Sequence, residues 1–329
     1  MATPVRLKTL IVGSGWARHA ASAFADRTEL EIVGVVGRGS ARSTSLGAQL
    51  RVPSFINLEA ALDTLVPQVA VVAVDDVSNG VLSERLIGMG CDVLCAHPVA
   101  PTAEAVRRLD ALAHERGRIV STDYSLRACE ELGAGRNMLA TSGALMRLAV
   151  TYPGRLLPMA LDLAIALAGP IGTVTAFGGY PEVLALRRKR TPAAFPPTVV
   201  LEHADGCVTT LVPCPHARPA AAFTITASCT EARLELRLPS GGAELIRLRR
   251  GGSPERVALV PARYSVPAAE AFVTAMRAIA DAFVDAVIVR GKPPCPLGDE
   301  VAVRAAWHAI TESLRQGGRV EVRARAGWD

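Results

Sequence analysis

Apolar and polar positions alternate along the chain in two different ways, and the change falls near residue 125. Over the first ~120 residues, short apolar runs alternate with helix-forming segments, as in a doubly wound parallel sheet. The opening stretch places the apolar run Leu10–Val12 directly before Gly13, Ser14 and Gly15 and an alanine-rich segment. This order predicts a buried first strand, a tight turn and a helix N-terminus. Further strands are predicted at residues 30–36, 69–74, 92–95 and 119–122, and helices at 41–50, 60–65, 79–90 and 101–116.

From about Leu126 the pattern becomes that of a mixed helix and sheet domain. Segments such as Phe223–Ser228 and Leu234–Leu238 alternate apolar and polar residues, as antiparallel strands with one buried face do. Strands are predicted at 145–152, 171–177, 198–204, 207–212, 223–229, 233–238 and 319–323, and helices at 128–139, 156–168, 268–289 and 297–315. The predicted fold class is α/β: an N-terminal Rossmann doubly wound parallel sheet at 1–124, and a C-terminal α+β domain with an open, mainly antiparallel sheet at 125–329.

Composition places the chain among ordinary globular proteins. It has 329 residues, half of them hydrophobic and a fifth charged, which suits two domains with ample core. No stretch offers the ~20 uninterrupted apolar residues of a membrane span, and no secretory signal is evident, so we expect a cytoplasmic protein without membrane association. The seven cysteines are scattered without CxxC spacing, which favours reduced core thiols over disulfides or a metal site.

The net charge of +5 comes mainly from arginine, with one dense run at Arg187–Arg190. This run lies in Leu184–Pro197, which its three prolines mark as a loop. It is either a solvated surface loop or a docking patch for an acidic partner. No aromatic platform or DNA-binding motif accompanies it, which argues against nucleic acid.

The turn after the first strand is a candidate phosphate-binding turn. Gly13 permits a sharp turn, Gly15 lets a ligand approach the backbone, and Ser14 and Trp16 lie in the same turn. The helix that follows offers free N–H groups and a partial positive charge to a pyrophosphate. Arg18 departs from the third position of the G-x-G-x-x-G/A fingerprint, and an ordinary turn without a cofactor is the alternative.

The end of the second strand bears on which dinucleotide binds. NAD enzymes usually place an acidic residue there for the ribose hydroxyl, whereas this chain has no acid between residues 37 and 42. Arg38, Ser40 and Arg42 suit a 2′-phosphate instead, because arginine binds phosphate through two parallel hydrogen bonds. We therefore predict NADPH as the cofactor, with a solvated basic turn as the alternative.

Two proton-donating side chains follow neighbouring strands of the predicted parallel sheet. His97 follows the predicted strand at 92–95, with Pro98 shaping its turn, and Tyr124 follows the predicted strand at 119–122. Ligands of such sheets bind beyond the carboxyl ends of the strands, where both side chains could approach a nicotinamide. Hydride transfer to a C=N or C=O bond leaves a negative charge that such a donor can quench. An isolated structural histidine is the alternative interpretation.

These motifs, with the Leu161-Asp162-Leu163 segment followed by Gly169-Pro170, resemble the glucose–fructose oxidoreductase/inositol dehydrogenase (Gfo/Idh/MocA) superfamily over nearly the whole chain. Sugar and inositol members carry Glu-Lys-Pro at the turn that corresponds to residues 96–98. They also carry a histidine three residues before the aspartate that corresponds to Asp162. Here Ala96-His97-Pro98 and Met159 stand at those positions. The usual alcohol–ketone chemistry needs a base for the hydroxyl proton, so both replacements argue against it.

The same departures resemble the thiazolinyl imine reductases of siderophore biosynthesis. The resemblance lies in Gly39–Ser43, in Gly90–Pro98 and in Leu156-Leu157 before Leu161. It implies an NADP-dependent oxidoreductase that reduces a thiazoline C=N to a thiazolidine on a carrier protein of nonribosomal peptide synthesis. It also implies that His97 and Tyr124 are the candidate proton donors, although the acidic residue usual before the histidine is Ala96 here.

We predict Tyr124 as the general acid, with His97 assisting by orientation or as an alternative donor. Residues 198–204 and 207–212 are apolar enough on both faces to suggest a covered sheet, so we expect a homodimer through that sheet. Two alternatives stay open: a sugar or polyol oxidoreductase of the same superfamily, and a dinucleotide-binding protein without catalysis.

Overall fold

A computed structural model describes residues 6–154, 156–178, 196–214, 223–239, 241–247, 253–263 and 268–323. The chain divides into two compact units. The first combines Met1–Ser125 with Met276–Val301, and the second combines Leu126–Ala275 with Ala302–Asp329.

The first unit is a Rossmann fold. Within the described residues its strands are β1 (Leu7–Val12), β2 (Leu30–Val36), β3 (Ser54–Phe55), β4 (Val69–Val72), β5 (Asp92–Ala96) and β6 (Val120–Asp123). They pair in parallel in the order β3-β2-β1-β4-β5-β6. Five helices connect them: α1 (Ala17–Ala25), α2 (Ala41–Leu50), α3 (Leu58–Leu65), α4 (Asp76–Gly88) and α5 (Ala103–Glu115). The predicted α/β class with a doubly wound parallel sheet is confirmed.

Helix boundaries in this unit follow capping side chains. Thr102 accepts a hydrogen bond from the Ala105 N–H at 3.1 Å and caps α5, which begins at Ala103, two residues after the predicted start at 101. Asp75 caps α4 through the Ser78 N–H, so this helix begins three residues before the predicted Asn79. The two-residue strand β3 was not predicted, because a segment that short has no periodicity to detect.

Residues 276–301 return to the first unit at the β6 edge. The Cys295 carbonyl accepts from the Thr122 N–H at 2.8 Å, and the Cys295 N–H donates to the Ser121 hydroxyl at 3.2 Å. Leu297 and Val301 then join the buried core of the parallel sheet. The helix that contains them therefore has its first turn fixed against the sheet on which the candidate site lies.

The second unit is built on a mainly antiparallel sheet. Its strands, as far as the described residues extend, are β7 (Leu145–Pro153), β8 (Ile171–Phe177), β9 (Thr198–His203), β10 (Val208–Cys214), β11 (Phe223–Cys229), β12 (Ala232–Leu238), β13 (Ala243–Arg247), β14 (Glu255–Val260) and β15 (Val320–Glu321). Their order is β14-β13-β12-β11-β7-β10-β9-β8-β15, and among the described pairings only β10 with β7 is parallel. The open, mainly antiparallel α+β architecture is confirmed.

Of the four remaining described helices, two lie wholly in the second unit and two have residues in both units. They are α6 (Glu130–Leu139), α7 (Leu157–Ala168), α8 (Ala268–Val289) and α9 (Leu297–Gln316), with a 3₁₀ turn at Ser125–Ala128. Strands β13 and β14 were not predicted, because their short, charge-interrupted segments form strands only through pairing beside β12. No helix within the described residues is long and apolar enough to cross a membrane.

Candidate functional site

The turn between β1 and α1 is a close-packed glycine turn. The Gly13 N–H donates to the Val36 carbonyl at 2.9 Å, which ties the turn to the end of β2. Gly13 has φ of +107°, and a Cβ there would lie 2.2 Å from the Ala73 carbonyl oxygen. Only glycine fits this position without moving the neighbouring strand end.

The same turn leaves room for a dinucleotide. A Cβ on Gly15 would meet no heavy atom within 4 Å, so the backbone is open on that side. Trp16 stands at the N-cap of α1 without a side-chain capping hydrogen bond, and the first turn of α1 carries no acidic residue. The N–H groups of Ser14, Gly15 and Trp16 therefore remain suited to a pyrophosphate, and the residues present fit a dinucleotide cofactor.

The β2–α2 connection presents the predicted phosphate-binding residues together. Ser40 is the N-cap of α2 and accepts from the Ser43 N–H at 3.3 Å. Arg42 is exposed in the first turn of α2, and Arg38 is exposed and pairs with Asp75 at 3.3 Å. A helix N-terminus flanked by two arginines favours a dianionic phosphate.

The His97–Pro98 turn after β5 is held by a buried asparagine. The Asn79 Nδ2 group donates to the Ala96 carbonyl at 2.6 Å and to the Pro98 carbonyl at 2.9 Å. The His97–Pro98 peptide bond is cis. These two hydrogen bonds bracket His97 on both sides and fix the backbone from which its side chain extends.

His97 and Tyr124 meet at a buried carboxylate. The His97 Nδ1 atom lies 2.8 Å from Glu300 Oε2 and 3.1 Å from the Tyr124 hydroxyl, and the two rings are 5.2 Å apart. The Tyr124 hydroxyl donates to the same Glu300 oxygen, while Glu300 Oε1 accepts from the Val99 N–H at 3.3 Å. The carboxylate is 0% exposed and the His97 side chain 10%. The structure thus brings together the two predicted proton donors and adds a third group.

The second ring nitrogen of His97 has no such partner. Nε2 is buried and has no hydrogen-bond partner among the described residues. A buried polar nitrogen without a partner costs free energy unless a ligand or water satisfies it. Nε2 is therefore the atom of this cluster best placed to exchange a proton with a bound molecule.

Asp162, the aspartate of the Leu161-Asp162-Leu163 segment, lies on α7 in the second unit and forms an ion pair with Arg127. Arg127 Nε lies 3.0 Å from each carboxylate oxygen of Asp162, and Arg127 Nη2 contacts the same carboxylate. Asp162 is buried, and Met159 occupies the position three residues earlier. An aspartate held by a guanidinium stays ionised and is a poor base.

Sequence reasoning missed Glu300 and Asn79. Glu300 lies between Leu297 and Val301 on the apolar stripe of a predicted helix, and a charge in such a stripe is a detectable signal. Asn79 is noticeable in the sequence only as the first residue of a predicted helix. The predicted docking run Arg187–Arg190 lies outside the described residues.

Three of the buried cysteines are held as neutral thiols. All seven cysteines lie among the described residues, and none of them forms a disulfide. Burial raises the pKa of Cys91, Cys95 and Cys129 to about 12, which keeps them as unreactive thiols at neutral pH. Among the described residues no group of three or more His, Cys, Asp or Glu side chains could hold a metal ion.

Comparison with known proteins supports the Rossmann assignment. Residues 7–124 match the model of the family GFO_IDH_MocA, described as an oxidoreductase family with an NAD-binding Rossmann fold. This match supports the superfamily that the sequence resembles, and an NAD(P)-binding oxidoreductase with it. No curated protein matches the sequence at a significant level.

Solved structures extend the likeness over the whole fold. An oxidoreductase from Agrobacterium radiobacter in complex with NAD⁺, L-tartaric acid and magnesium is 16% identical, with a TM-score of 0.80 over 97% of this chain and 99% of that one. GenD2 from gentamicin A biosynthesis, in complex with NAD, is 20% identical, with a TM-score of 0.78 over 98% of both chains. Levoglucosan dehydrogenase in complex with NADH and levoglucosan is 14% identical, with a TM-score of 0.80 over 96% of this chain and 99% of that one. At these identities the likeness establishes the fold.

Proposed function

We propose that the protein is an NADPH-dependent reductase of a cyclic C=N bond, which converts a thiazoline to a thiazolidine in siderophore or related natural-product biosynthesis. The observation that carries the proposal is the His97 cluster. A histidine stands where sugar-oxidising relatives carry lysine, one ring nitrogen faces a buried carboxylate, and Nε2 is left for a ligand. This arrangement suits the delivery of a proton to a nitrogen that becomes strongly basic on reduction.

The remaining acid–base groups fit reduction of an imine better than oxidation of an alcohol. Alcohol oxidation needs a base for the hydroxyl proton, and the aspartate that could assist is paired with Arg127. Met159 replaces the histidine that sugar and inositol members carry three residues earlier. When bound, NADPH supplies the hydride to the imine carbon. The protein then supplies one proton to the nitrogen.

The preference for NADPH rests on the β2–α2 connection. No acidic residue lies between residues 37 and 42 to accept from a ribose 2′-hydroxyl, while Arg38, Ser40 and Arg42 surround the N-terminus of α2. Gly13, Ser14, Gly15 and Trp16 would hold the pyrophosphate, and Pro98 would border the nicotinamide end. NAD in the solved structures of similar fold is a property of those proteins.

The partner we propose is a carrier protein of a nonribosomal peptide synthetase. The sequence supports it through the basic run Arg187–Arg190, because carrier domains present acidic surfaces and a tethered substrate needs its carrier to rest nearby. Charge complementarity of this kind acts on association and KM, and leaves the chemical step unchanged.

A second candidate is a sugar or polyol oxidoreductase. It is favoured by one observation, that levoglucosan dehydrogenase shares the fold over nearly the whole chain. A third candidate, a dinucleotide-binding protein without turnover, would bind NADPH and reduce nothing.

One assay separates the three. Purified protein is given NADPH with a thiazoline, both free and carrier-bound, and separately NAD⁺ or NADP⁺ with levoglucosan and with inositols, while cofactor absorbance is followed. Thiazoline-dependent NADPH oxidation with a thiazolidine product supports the proposal. Turnover with the sugars alone assigns the second candidate, and tight NADPH binding with no turnover assigns the third.

A further inference from the structure

We propose that Glu300 positions His97 as the proton donor, and that Tyr124 belongs to the same positioning set. The inference rests on the proposed imine reduction and assigns the roles within that site. It reverses the order of the sequence prediction, in which Tyr124 is the acid and His97 assists.

Glu300 uses both of its carboxylate oxygens inside the fold. Oε1 accepts from the Val99 N–H, and Oε2 accepts from His97 Nδ1 and from the Tyr124 hydroxyl. A fully buried carboxylate is tolerated only when it is hydrogen-bonded in this way, because desolvation of an unpaired charge is costly. The contacts therefore support an anionic Glu300 that accepts from at least these three donors.

This pairing decides what His97 can offer a ligand. When Nδ1–H is donated to Glu300, Nε2 is the ring atom left to face a bound molecule, and it carries a proton only when the ring is protonated. A buried carboxylate beside Nδ1 stabilises that positively charged ring electrostatically. His97 is thus set to give a proton from Nε2–H.

The same contacts make Tyr124 unsuitable as the proton donor. Its hydroxyl has a single proton, and that proton is donated to Glu300 Oε2. Release of this proton to a substrate would leave the phenolate oxygen against the carboxylate, a repulsion in a buried site. Tyr124 serves better by holding the carboxylate in place beneath His97.

The chain brings Glu300 here from far away in sequence. His97 and Glu300 are 203 residues apart, and the Cys295–Ser121 hydrogen bonds set the first turn of α9 against β6. The family's usual acidic residue before the histidine is Ala96 in this chain. We infer that Glu300 provides from α9 the carboxylate that Ala96 cannot provide from β5.

Among the described residues, two titratable side chains contact His97: Glu300 on α9 and Tyr124 after β6. The Cys95 thiol on β5, two residues before His97, hydrogen-bonds to Ser83. Burial raises the pKa of Cys95 to about 12, with a smaller contribution from the Glu300 charge, so the thiol stays neutral. Glu300 is therefore the charged group that governs His97.

The proposed step balances. The hydride from NADPH forms the C–H bond and brings both electrons, the imine nitrogen forms an N–H bond with the proton from Nε2, and NADP⁺ and neutral His97 remain. Solvent reprotonates the ring before the next turnover.

The decisive variant is Glu300→Gln. The Val99 N–H keeps the amide oxygen at the Oε1 position, so the amide NH₂ faces His97 Nδ1 and donates where the carboxylate accepted. The neutral ring then carries its proton on Nε2, and the charged ring loses its counter-ion. We expect ¹⁵N NMR of the His97 ring, in protein with NADP⁺ bound, to report Nδ1–H in wild type and the opposite tautomer in the variant.

Kinetics of thiazoline reduction give the second readout. We expect kcat of Glu300→Gln to fall by at least about tenfold, and by no more than the ~10²–10⁴-fold that a positioned acid contributes, with the NADPH Kd unchanged. We expect the pH profile of kcat to differ between wild type and Glu300→Gln, because the variant removes the carboxylate that contacts Nδ1. His97→Gln should lose the full ~10²–10⁴-fold, and Tyr124→Phe less than about tenfold.

The matched control is Glu312→Gln on the same helix, whose carboxylate pairs with Arg315 away from His97. It should alter neither the ring tautomer nor the pH profile. If Glu300→Gln fails to fold, the wild-type tautomer and the comparison of Tyr124→Phe with His97→Gln still decide the roles.

Three results would overturn the inference. They are a wild-type ring without a proton on Nδ1, a Glu300→Gln enzyme with wild-type kcat and pH profile, and a dead Tyr124→Phe beside an active His97→Gln. A wild-type protein that reduces no thiazoline would instead overturn the proposed function. The tautomer measurement needs no substrate and separates the two failures.

Discussion

Arg127 holds Asp162 in a two-pronged ion pair, with Nε 3.0 Å from each carboxylate oxygen. Arg127 lies in the 3₁₀ turn Ser125–Ala128, where the second unit begins, and Asp162 lies on α7 of the same unit. Because Asp162 is buried, its ion pair with Arg127 contributes to the stability of that unit. The same ion pair makes the Asp162 carboxylate a poor base.

Removal of Arg127 should therefore destabilise the protein strongly. Arg127→Ala leaves a buried carboxylate uncompensated, which costs about 3–5 kcal/mol. Urea unfolding measures the change, and the double variant Arg127→Ala/Asp162→Ala is the control. The double variant should lose much less than the sum of the single variants, and simple additivity would mean that the two residues do not act as a pair.

Arg42 should discriminate between the two nicotinamide cofactors. Loss of one charge-assisted phosphate contact costs about 1.5–3 kcal/mol, so Arg42→Ala should raise the NADPH Kd by roughly ten- to hundredfold. NADH lacks the 2′-phosphate and should bind as before. Titration of both cofactors measures this, with the exposed Arg108→Ala as the matched control. An equal loss for both cofactors would remove Arg42 from the 2′-phosphate site.

The basic run should affect only the carrier-bound substrate. Charge reversal at Arg188 and Arg190 should raise KM for a carrier-bound thiazoline at low salt, because exposed charges act mainly on association. A small free thiazoline should react unchanged, since it needs no docked carrier. Steady-state kinetics with both substrates test the point. A similar response from both would make the run part of the site or an ordinary solvated loop.

The face of the antiparallel sheet that carries Val212 should form a homodimer. Along β10, Thr209, Leu211 and Pro213 are buried, while Val212 on the opposite face is 40% exposed. Burial of such an apolar side chain against a second copy is favourable. Light scattering should therefore give a dimer for wild type and a monomer for Val212→Arg. Val81→Arg, on an exposed face of α4, should stay dimeric, and a monomeric wild type would contradict the prediction.

His203 should make stability depend on pH. Burial lowers the pKa of His203, whose Nδ1 lies 2.8 Å from the Gly169 carbonyl and whose Nε2 lies 2.8 Å from the Thr209 hydroxyl. The unfolded chain takes up a proton near the ordinary value of 6.5, whereas the folded chain keeps the ring neutral. The contribution of neutral His203 to the free energy of unfolding is therefore complete above pH 6.5. It is lost as the pH falls from that value towards the lowered pKa of the folded state.

Unfolding free energies at about pH 7.5 and pH 5 measure the effect. His203→Gln should be less stable than wild type at neutral pH, because two hydrogen bonds are disturbed, yet lose less on acidification. The exposed His114→Gln should leave the pH dependence as in wild type. If wild type and His203→Gln lose the same amount of unfolding free energy on acidification, the pH dependence comes from other groups.

Local pattern was enough to predict most of the elements. The bounds of β2 at Leu30–Val36 and of α2 at Ala41–Leu50 agree with the prediction at both ends. Apolar periodicity and capping residues act over a few positions, and they specify an element wherever burial later agrees with them. Gly13 belongs to the same class, because a strand, a glycine turn and a helix in that order leave few alternatives.

The sequence by itself determined that His97 and Tyr124 follow neighbouring parallel strands, and hence that their side chains would lie close together. Only the tertiary structure decided which third group contacts both of them. Glu300 reaches them from 203 residues away because its helix packs beside β6, and no local pattern encodes such an encounter. The identity of a long-range partner depends on how the elements pack, and in this protein that partner is the carboxylate that contacts both side chains.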